Sequence, residues 1–244
     1  MNFLNKLVLI VLLIGLSPTI FGTDALTPSC LEDQVLELLR KWQQGDLLTM
    51  PLPSLGTIRL QSYEGQYTGY GIKIAYTTGN MNMTGLRNFK VKELSASTDD
   101  LFEASGAISI PSLTLNSDNY NLKGNAYVFY SLKGAGFMNV TFENVSLTFS
   151  ISLAHNANKK DRGIEIDDIQ LNYSVDAIRV NLENCSWPVN KVLNAEAKSI
   201  NENYRSLLVN AATEGLKKSL NSYLITVPPT ALTYAFCNIC NKKC

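Results

Sequence analysis

The sequence predicts an α+β fold in which a long C-terminal helix is wrapped by a highly curved antiparallel β-sheet. Apolar and polar residues alternate along much of the segment from Thr57 to Glu183, a pattern typical of half-buried antiparallel strands. The alternation changes phase inside these strands, which predicts bulges and therefore strong curvature. From Val189 to Tyr223, apolar residues recur at three- and four-residue steps, which predicts a helix about 50 Å long.

The first segment of the chain has the composition of a secretory signal peptide. Lys6 precedes an apolar run over residues 7–14, and Ser17, Pro18 and the small residue Gly22 follow. This run is shorter than the roughly 20 apolar residues that a membrane span needs. We therefore expect a signal peptide at residues 1–22, with cleavage after Gly22 or alternatively after Ala25, a secreted product and a single domain over residues 23–244.

An amphipathic helix is expected after the leader. Ser29 and Glu32 have the spacing of a capping box, which satisfies free backbone N–H groups at a helix start, and Gly45 is a typical helix end. Pro51 and Pro53 require extended backbone beyond it. The apolar face of this helix consists of Leu31, Val35, Leu38, Leu39 and Trp42.

The strands between the two helices contain three predicted bulges. The inward positions change between even and odd residue numbers near Glu143–Asn144, Asp167–Asp168 and Asp176–Ala177. A regular strand keeps every second residue on the same face, so each change needs an extra residue. Gly, Asn, Asp and Ser also mark expected turns. These turns are at Gly79–Asn80 and at residues 117–119, 134–136 and 156–163.

The charge balance excludes nucleic acid as a partner. The 244-residue chain has 21 Lys and Arg residues against 21 Asp and Glu residues, whereas a phosphate-binding surface needs an excess of basic residues. Charged residues make up 17% of the chain, below the usual value of about 25%, because Asn, Ser and Thr cover the outer face of the sheet. No apolar stretch after the leader is long enough to cross a bilayer, so we expect no stable membrane insertion.

Five cysteines follow the leader, which fits an oxidising extracellular compartment. Two disulfides and one spare thiol are the simplest arrangement, and we favour a pairing in which Cys185 clamps the C-terminal tail. The spare cysteine then either stays free or links two chains in a dimer. The tail cysteines have no second pair of residues at the spacing of zinc ligands, and the only histidine, His155, is far from them in the sequence. We therefore expect no zinc site, no other metal and no cofactor. The disulfide candidates are Cys30, Cys185, Cys237, Cys240 and Cys244.

Several Asn-x-Ser/Thr sequons give a secreted chain candidate glycosylation sites. Asn172 is out of phase with the inward Leu171 and Tyr173, so we expect it to be exposed. The sequon at Asn184 is disfavoured, because a disulfide at the next residue, Cys185, would hinder a glycan. The remaining candidates are Asn82, Asn139, Asn144 and Asn172.

The sequence contains no residue set typical of an enzyme. His155 sits in a polar turn, where a solvated side chain is a simpler interpretation than a catalytic base. The nucleophile elbow Gly-x-Ser-x-Gly and the zinc motif His-Glu-x-x-His do not occur. A turn explains Asp99–Asp100, and a bulge explains Asp167–Asp168. We therefore expect a protein that is not an enzyme.

Several segments of the chain carry a family resemblance through their order and spacing: Gly45–Leu60, Ile110–Leu113, Tyr120–Gly124, Gly134–Gly136, Asn139–Val145, Val180–Asn184 and Leu193–Tyr204. Together they resemble the insect takeout / haemolymph juvenile-hormone-binding family of secreted proteins. The similarity extends over nearly the whole mature chain. The cysteines depart from the family pattern, because the family usually has two around a short loop near the first helix, where this chain has only Cys30. Cysteines in the tail are also unusual for the family.

This resemblance implies the elongated tubular lipid-binding fold, with an apolar tunnel between helix and sheet. It further implies a secreted carrier for a small hydrophobic ligand, such as a juvenile-hormone-like terpenoid, a fatty acid or a similar lipid. Either Tyr130 or Tyr204 can hold a ligand carbonyl or hydroxyl. The candidate ligand-binding residues, on or facing the long helix, are Leu38, Trp42, Leu47, Tyr130, Phe149, Tyr204, Leu208 and Leu216.

One alternative function has the same fold but a closed core. In that case the protein is an extracellular interaction protein that acts through its surface and its cysteine-rich tail. Bound lipid favours the carrier, whereas a disulfide-linked dimer favours the interaction protein.

Overall fold

The computed structural model describes residues 30–45, 55–97, 102–155 and 164–224. These residues form two α-helices, a short 3-10 helix and one curled sheet of eight antiparallel strands, which confirms the predicted fold class. The expected leader, Leu47 and the tail cysteines lie outside the described residues. In chain order the elements are α1 (Cys30–Gln44), β1 (Thr57–Leu60), β2 (Tyr63–Gly69), β3 (Ile72–Thr78), β4 (Met81–Thr84), the 3-10 helix (Leu86–Asn88), β5 (Lys90–Ser97), β6 (Phe102–Ala126), β7 (Tyr130–His155), β8 (Ile164–Leu182) and α2 (Pro188–Leu224).

Strand β6 organises the sheet. It has 25 residues and pairs along almost its whole length with the 26-residue β7, which pairs in turn with the 19-residue β8. On its other edge, β6 pairs successively with β5, β4 and β3. The short strands β1 and β2 extend the sheet from β4 and β3. Three long strands thus form one side of the sheet, and short strands fill the other.

Both α-helices closely match the bounds that the sequence predicts. Helix α1 ends at Gln44, and Gly45 has a φ of 90°, the left-handed conformation common just beyond a helix end. Helix α2 has 37 residues and packs mainly on β8. Neither helix of the described residues is long and apolar enough to cross a membrane.

A bulge occurs at the predicted position in β8. The pairing between β7 and β8 runs from Ser152 opposite Asp168 to Leu153 opposite Ile166, which leaves Asp167 as an extra residue. Ile166 and Ile169 are both buried, although an odd and an even position normally face opposite sides of a strand. The prediction at Asp167–Asp168 is therefore confirmed.

The two other predicted phase changes lie opposite each other. The pairs Glu143–Ala177 and Val145–Val175 flank Asn144 and Asp176, which are passed over in the pairing without any shift of register. The prediction of an extra residue at these two positions is therefore wrong, although the pairing is interrupted there and Asn144 has a φ of 50°, in the left-handed region. The inward face changes in both strands at the same level, which is why neither strand gains a residue relative to the other.

Two of the predicted turns are wrong. Residues 117–119 form a bulge inside β6, between the pairs Ser117–Met138 and Tyr120–Gly136. The buried Ser117 hydroxyl holds this bulge by hydrogen bonds to the carbonyl oxygens of Asn80 and Asn119, at 3.2 and 2.7 Å. Residues 134–136 lie within β7. The turn at Gly79–Asn80 is confirmed, since it joins β3 to β4; the expected turn at 156–163 lies outside the described residues.

Candidate ligand-binding site

The apolar side chains of the described residues form three clusters along the inner face of the sheet. The N-end cluster packs the first part of α2 on β2, β3 and the ends of the long strands, and includes Tyr67, Leu132, Val189 and Val192. The C-end cluster packs the last part of α2 on β6, β7 and β8, and includes Ile151, Ile166, Leu216 and Leu224. The middle cluster joins α1, β1 and β4 to the centre of the sheet, and includes Leu39, Ile58, Ile108 and Val145.

The middle of α2 is packed less tightly than its ends. None of the buried residues in the middle cluster comes from α2. In this part of the helix Leu207 and Leu208 are 64% and 39% exposed. On the sheet, Phe142 and Ile178 are only partly buried against the middle cluster. An apolar surface therefore remains between the two ends at which α2 is firmly packed.

Polar contacts fix the middle of α2 to β8. The Tyr173 hydroxyl donates to Asn201 Oδ1 at 3.0 Å, and Arg205 Nη2 donates to Asn172 Oδ1 at 2.8 Å. The Arg205 guanidinium also lies 5.9 Å from the centre of the Tyr173 ring and pairs with Glu202 at 3.0 Å. These contacts hold the helix beside the sheet where apolar packing is sparse.

A buried phenol lies in the N-end cluster. Tyr67 is 3% exposed, and its ring centre is 5.8 Å from that of Tyr204. The Tyr204 hydroxyl donates to the Gln66 carbonyl oxygen at 3.2 Å, whereas the Tyr67 hydroxyl has no hydrogen-bond partner among the described residues. A buried hydroxyl without a partner costs free energy, so it is a natural contact for a polar atom of a ligand.

The phenols of this region are neutral hydrogen-bond donors over a wide pH range. Burial raises the pKa of Tyr67, with smaller contributions from the neighbouring Tyr70 and Tyr204. Burial, together with Tyr63, raises the pKa of Tyr76 to about 12. A neutral phenol in apolar surroundings can donate to an alcohol, ester or ketone oxygen.

Two glycines make room for the tyrosine rings. A Cβ on Gly65 would lie 2.8 Å from the Tyr76 hydroxyl oxygen, and one on Gly69 would lie 2.7 Å from that of Tyr67. The spacing of tyrosine and glycine in β2 is thus a sequence signal for this site, although Tyr67 and Tyr76 were not among the sequence-predicted residues.

The structure does not bring the sequence-predicted residues together at one point. Tyr204 joins the N-end cluster and Leu216 the C-end cluster, about 18 Å apart along the helix. Phe149 is buried, and Leu208 is 39% exposed. Tyr130 is the first residue of β7 and is 45% exposed. The side chains of Leu38 and Trp42 in α1, and all of Leu47, lie outside the described part of the chain.

A pocket of about 400 Å³ opens on the surface beside β1 and β4. It is not the apolar tunnel expected between helix and sheet, because it is a surface pocket on β1 and β4 and four of its five lining residues are polar or charged. The pocket is lined by Arg59, Leu60, Gln61, Asn80 and Asn82.

The described residues hold no group of His, Cys, Asp or Glu that could bind a metal ion.

The cysteine and sequon candidates have different surroundings. Cys185 is half-buried, with Sγ 3.3 Å from the Leu182 carbonyl oxygen, and it forms no disulfide with another described residue. Asn82, Asn144 and Asn172 are exposed. Asn139 is half-buried and donates to Asn116 Oδ1 at 2.6 Å, which leaves its amide less available for a glycan.

Comparison with known proteins places these features in context. A family model described as haemolymph juvenile hormone binding protein (JHBP) matches residues 21–233, in agreement with the resemblance drawn from the sequence. No match was found among curated proteins.

Among solved structures, the chain is similar to Takeout 1 of Epiphyas postvittana. The two are 15% identical over 74% of this chain and 84% of that one, with a TM-score of 0.51, which shows a shared fold. A lipopolysaccharide binding protein is 16% identical over 80% of this chain and 39% of that chain, with a TM-score of 0.43.

Proposed function

Since this chain belongs to the haemolymph juvenile hormone binding protein family, we propose that it is a secreted carrier of a small hydrophobic molecule. The ligand lies between α2 and the inner face of the sheet. The half-buried apolar side chains opposite the middle of α2 support this position, because they offer a surface that a ligand can remove from water.

The buried Tyr67 hydroxyl is the observation that carries the proposal. It lies among apolar side chains, and no described residue accepts or donates a hydrogen bond there. A ligand oxygen at this point restores the hydrogen bond that Tyr67 gave up on leaving water. The ligand is thus an apolar molecule with a polar atom near one end.

The charges around the site favour a neutral ligand over an ionised one. Lys73 and Lys123 are chain neighbours of Ile72 and Leu122 in the N-end cluster, but both lysines are exposed on the outer face of the sheet. Among the described residues, the charged group that acts on the Tyr67 pKa is Glu196, an acid, so a carboxylate buried there would lack a cationic partner. Burying an unpaired charge costs far more than burying a hydroxyl. Among the expected ligand classes, a terpenoid alcohol, ester or ketone therefore fits better than an ionised fatty acid.

Ligand binding can be tested on the delipidated mature chain by native mass spectrometry and by displacement of a fluorescent probe. The ligands are a sesquiterpenoid alcohol, its matching hydrocarbon and a long-chain fatty acid. We expect the alcohol to bind most tightly. If a correctly folded chain binds none of them, the carrier proposal is wrong and the closed-core alternative gains support.

The variant Tyr67→Phe tests the position of the polar atom. It removes one hydroxyl, so affinity for the alcohol should fall about 2- to 10-fold, the value of a single hydrogen bond. Affinity for the hydrocarbon should stay the same. The matched control is Tyr63→Phe in the same strand, since Tyr63 is 56% exposed. Equal losses for both ligands would show that the polar atom does not contact Tyr67.

We further propose that residues 1–22 are removed as a signal peptide and that residues 23–244 fold as one domain without enzymatic activity. The name of the family describes binding rather than catalysis. Expression in a eukaryotic secretory host tests whether residues 1–22 are removed. A mature protein in the medium that begins near Thr23 is expected, and retention of the leader in the cell pellet would contradict it.

A further inference from the structure

Large apolar side chains are exposed together at one end of the sheet. The turn between β6 and β7 consists of Tyr127, Val128 and Phe129, and the last two are 83% and 89% exposed. Beside it, Tyr70 in the turn from β2 to β3 is 55% exposed, and Trp187 before α2 is 76% exposed. We refer to these five residues as the aromatic tip.

Hydrogen bonds hold the three segments of the aromatic tip side by side. The Tyr127 N–H donates to the Gly71 carbonyl oxygen at 2.7 Å, which joins the two turns. The Tyr127 hydroxyl donates to Glu196 Oε1 on α2 at 2.7 Å. Near Trp187, the Ser186 N–H donates to the Lys133 carbonyl oxygen of β7 at 2.7 Å. The exposed side chains therefore sit on a fixed frame.

The residues of this turn are poorly suited to a simple connection. Tyr127 and Val128 have φ values of 47° and 67°, a region in which Gly and Asn are usual and a β-branched residue is strained. The turn thus carries both unfavourable backbone conformations and two exposed apolar side chains. Such a combination indicates that the side chains serve a purpose outside the fold.

Four lysines surround the aromatic tip. Lys123 and Lys133 are direct cross-strand partners, and Lys73, opposite Asn125, lies on the same outer face. Lys191 Nζ lies 5.7 Å from the centre of the Trp187 ring. None of the four forms an ion pair with a described residue. Two like charges directly opposite each other are unfavourable in a sheet, so an anionic partner would stabilise this arrangement.

We propose that the aromatic tip docks the protein reversibly on a lipid bilayer that contains anionic headgroups. Val128 and Phe129 enter the boundary between headgroups and hydrocarbon, while Trp187 and the tyrosines lie at headgroup level, as amphipathic aromatic rings do. The lysines bind lipid phosphates, each contributing to the attraction. A narrow projecting turn suits insertion between lipids, whereas a stable protein interface needs about 800 Å² on each partner.

The position of the aromatic tip connects it to the proposed ligand site without depending on it. Ala126 and Leu132, on either side of the turn, belong to the N-end cluster together with Tyr67. A membrane-bound ligand would therefore meet the protein at the end where the buried hydroxyl lies. Docking itself requires no ligand, so the two proposals can fail separately.

Vesicle sedimentation of the mature chain tests the docking. The chain is mixed with vesicles of phosphatidylcholine alone or with added phosphatidylserine. We expect binding to the anionic vesicles, weakened at high salt. The variant Phe129→Ser should weaken it at least tenfold, since burial of a Phe side chain changes an affinity roughly 10- to 100-fold. The matched control is Tyr63→Ser, since Tyr63 is a 56% exposed aromatic residue at the other end of β2 from Tyr70.

Two further variants separate docking from folding. Val128→Gly relieves the backbone at a φ of 67°, so it should raise the melting temperature while weakening vesicle binding. Lys123→Gln with Lys133→Gln should reduce binding to the anionic vesicles, whereas Lys90→Gln with Lys92→Gln on β5 should not.

The proposal is overturned if the wild-type chain binds neither kind of vesicle, or if Phe129→Ser binds vesicles as tightly as wild type. It is also overturned if Phe129→Ser abolishes a lipid-free dimer in sedimentation velocity, because a second copy would then be the partner.

Discussion

The side-chain amide of Asn194 pairs with both backbone groups of Val180. The Val180 N–H donates to Asn194 Oδ1 at 2.8 Å, and Asn194 Nδ2 donates to the Val180 carbonyl oxygen at 2.7 Å. One helical turn earlier, Asn190 makes the same pair with Leu182, at 2.9 and 3.0 Å. Helix α2 thus supplies the hydrogen bonds that another strand would give to this edge of β8, and protects it from pairing with a second chain.

The other end of α2 repeats this arrangement in part. The Ile166 N–H at the start of β8 donates to Asn221 Oδ1 at 2.7 Å. Asparagine side chains therefore fix α2 to β8 near both ends of the helix. These positions of α2 need an amide, which both donates and accepts hydrogen bonds, rather than a charged group. This requirement contributes to the low fraction of charged residues in the chain.

We predict that Asn190→Ala lowers the free energy of unfolding by about 1–3 kcal/mol, because two half-buried backbone groups of Leu182 lose their partner. Asn194→Ala should cost less, since its contacts with Val180 are exposed to water. Urea denaturation measures both. The control is Asn210→Ala on the exposed face of α2, for which we expect a change within about 0.5 kcal/mol. Equal effects at positions 190 and 210 would contradict the pairing.

Alkaline pH is predicted to destabilise the protein through its buried phenols. Burial raises the pKa of Tyr76 and of Tyr120 to about 12, above the value of 10.0 for a free tyrosine. Between these values the unfolded chain releases protons that the folded chain keeps, so stability is full below pH 10 and falls as the pH rises towards 12. The expected loss is on the order of 1–2 kcal/mol for each phenol.

The variant Tyr120→Phe tests this pH dependence. It removes the hydrogen bond from the Tyr120 hydroxyl to the Glu183 carbonyl oxygen, 2.7 Å long, so stability at pH 8 should fall by about 1 kcal/mol. The decline between pH 10 and 12 should become shallower. Chemical denaturation at several pH values measures both quantities. The exposed Tyr130→Phe is the control, and an unchanged slope for Tyr120→Phe would refute the prediction.

Local periodicity was sufficient to predict much of the fold. The apolar steps of α2 and the glycine after α1 are properties of neighbouring residues, and both helices lie where these signals put them. The changes of phase at Asn144 and Asp167 were also readable, because face alternation is local. The turn predicted at residues 117–119 was wrong, because the composition there is typical of a turn and the bulge depends on a contact with the distant Asn80.

The candidate site was harder to predict, because it is assembled from distant parts of the chain. Tyr67 is buried by Tyr204, whose hydroxyl bonds a residue 138 positions away. Tyr130 belongs to a strand that reads as apolar, yet its place at the end of β7 exposes it. Which tyrosines meet therefore depends on pairing between strands and on the position of α2, neither of which periodicity encodes.

Gly134 is predicted to be required for close packing of the segment before α2. A Cβ there would lie 2.8 Å from Cys185 Cβ and would also collide with the Tyr120 hydroxyl. We expect Gly134→Ala to lower the free energy of unfolding by about 1–3 kcal/mol, as other overpacked sites do. Thermal denaturation measures this. The neighbouring Ala135 is exposed, so Ala135→Ser should change stability by less than about 0.5 kcal/mol; similar losses for both variants would disprove the packing argument.

Asn144 is predicted to set the change of face in the long strands. Its φ of 50° is accessible to Asn and Gly but strained for a β-branched residue. In protein made in bacteria, which carries no glycan, Asn144→Gly should be as stable as wild type. Asn144→Val should lose about 1–3 kcal/mol by urea denaturation.

The flanking sequence provides the control for Asn144. Ser146→Ala destroys the sequon but keeps the left-handed asparagine, so its stability in bacterial protein should match wild type. In protein from a secretory eukaryotic host, a mass shift present in wild type and absent in Ser146→Ala would show that Asn144 also carries a glycan. Equal stability of Asn144→Val and Asn144→Gly would show that the left-handed conformation does not set the change of face. The change must then arise elsewhere, for example at Pro111, which is likewise left without a partner in the pairing of β6 with β7.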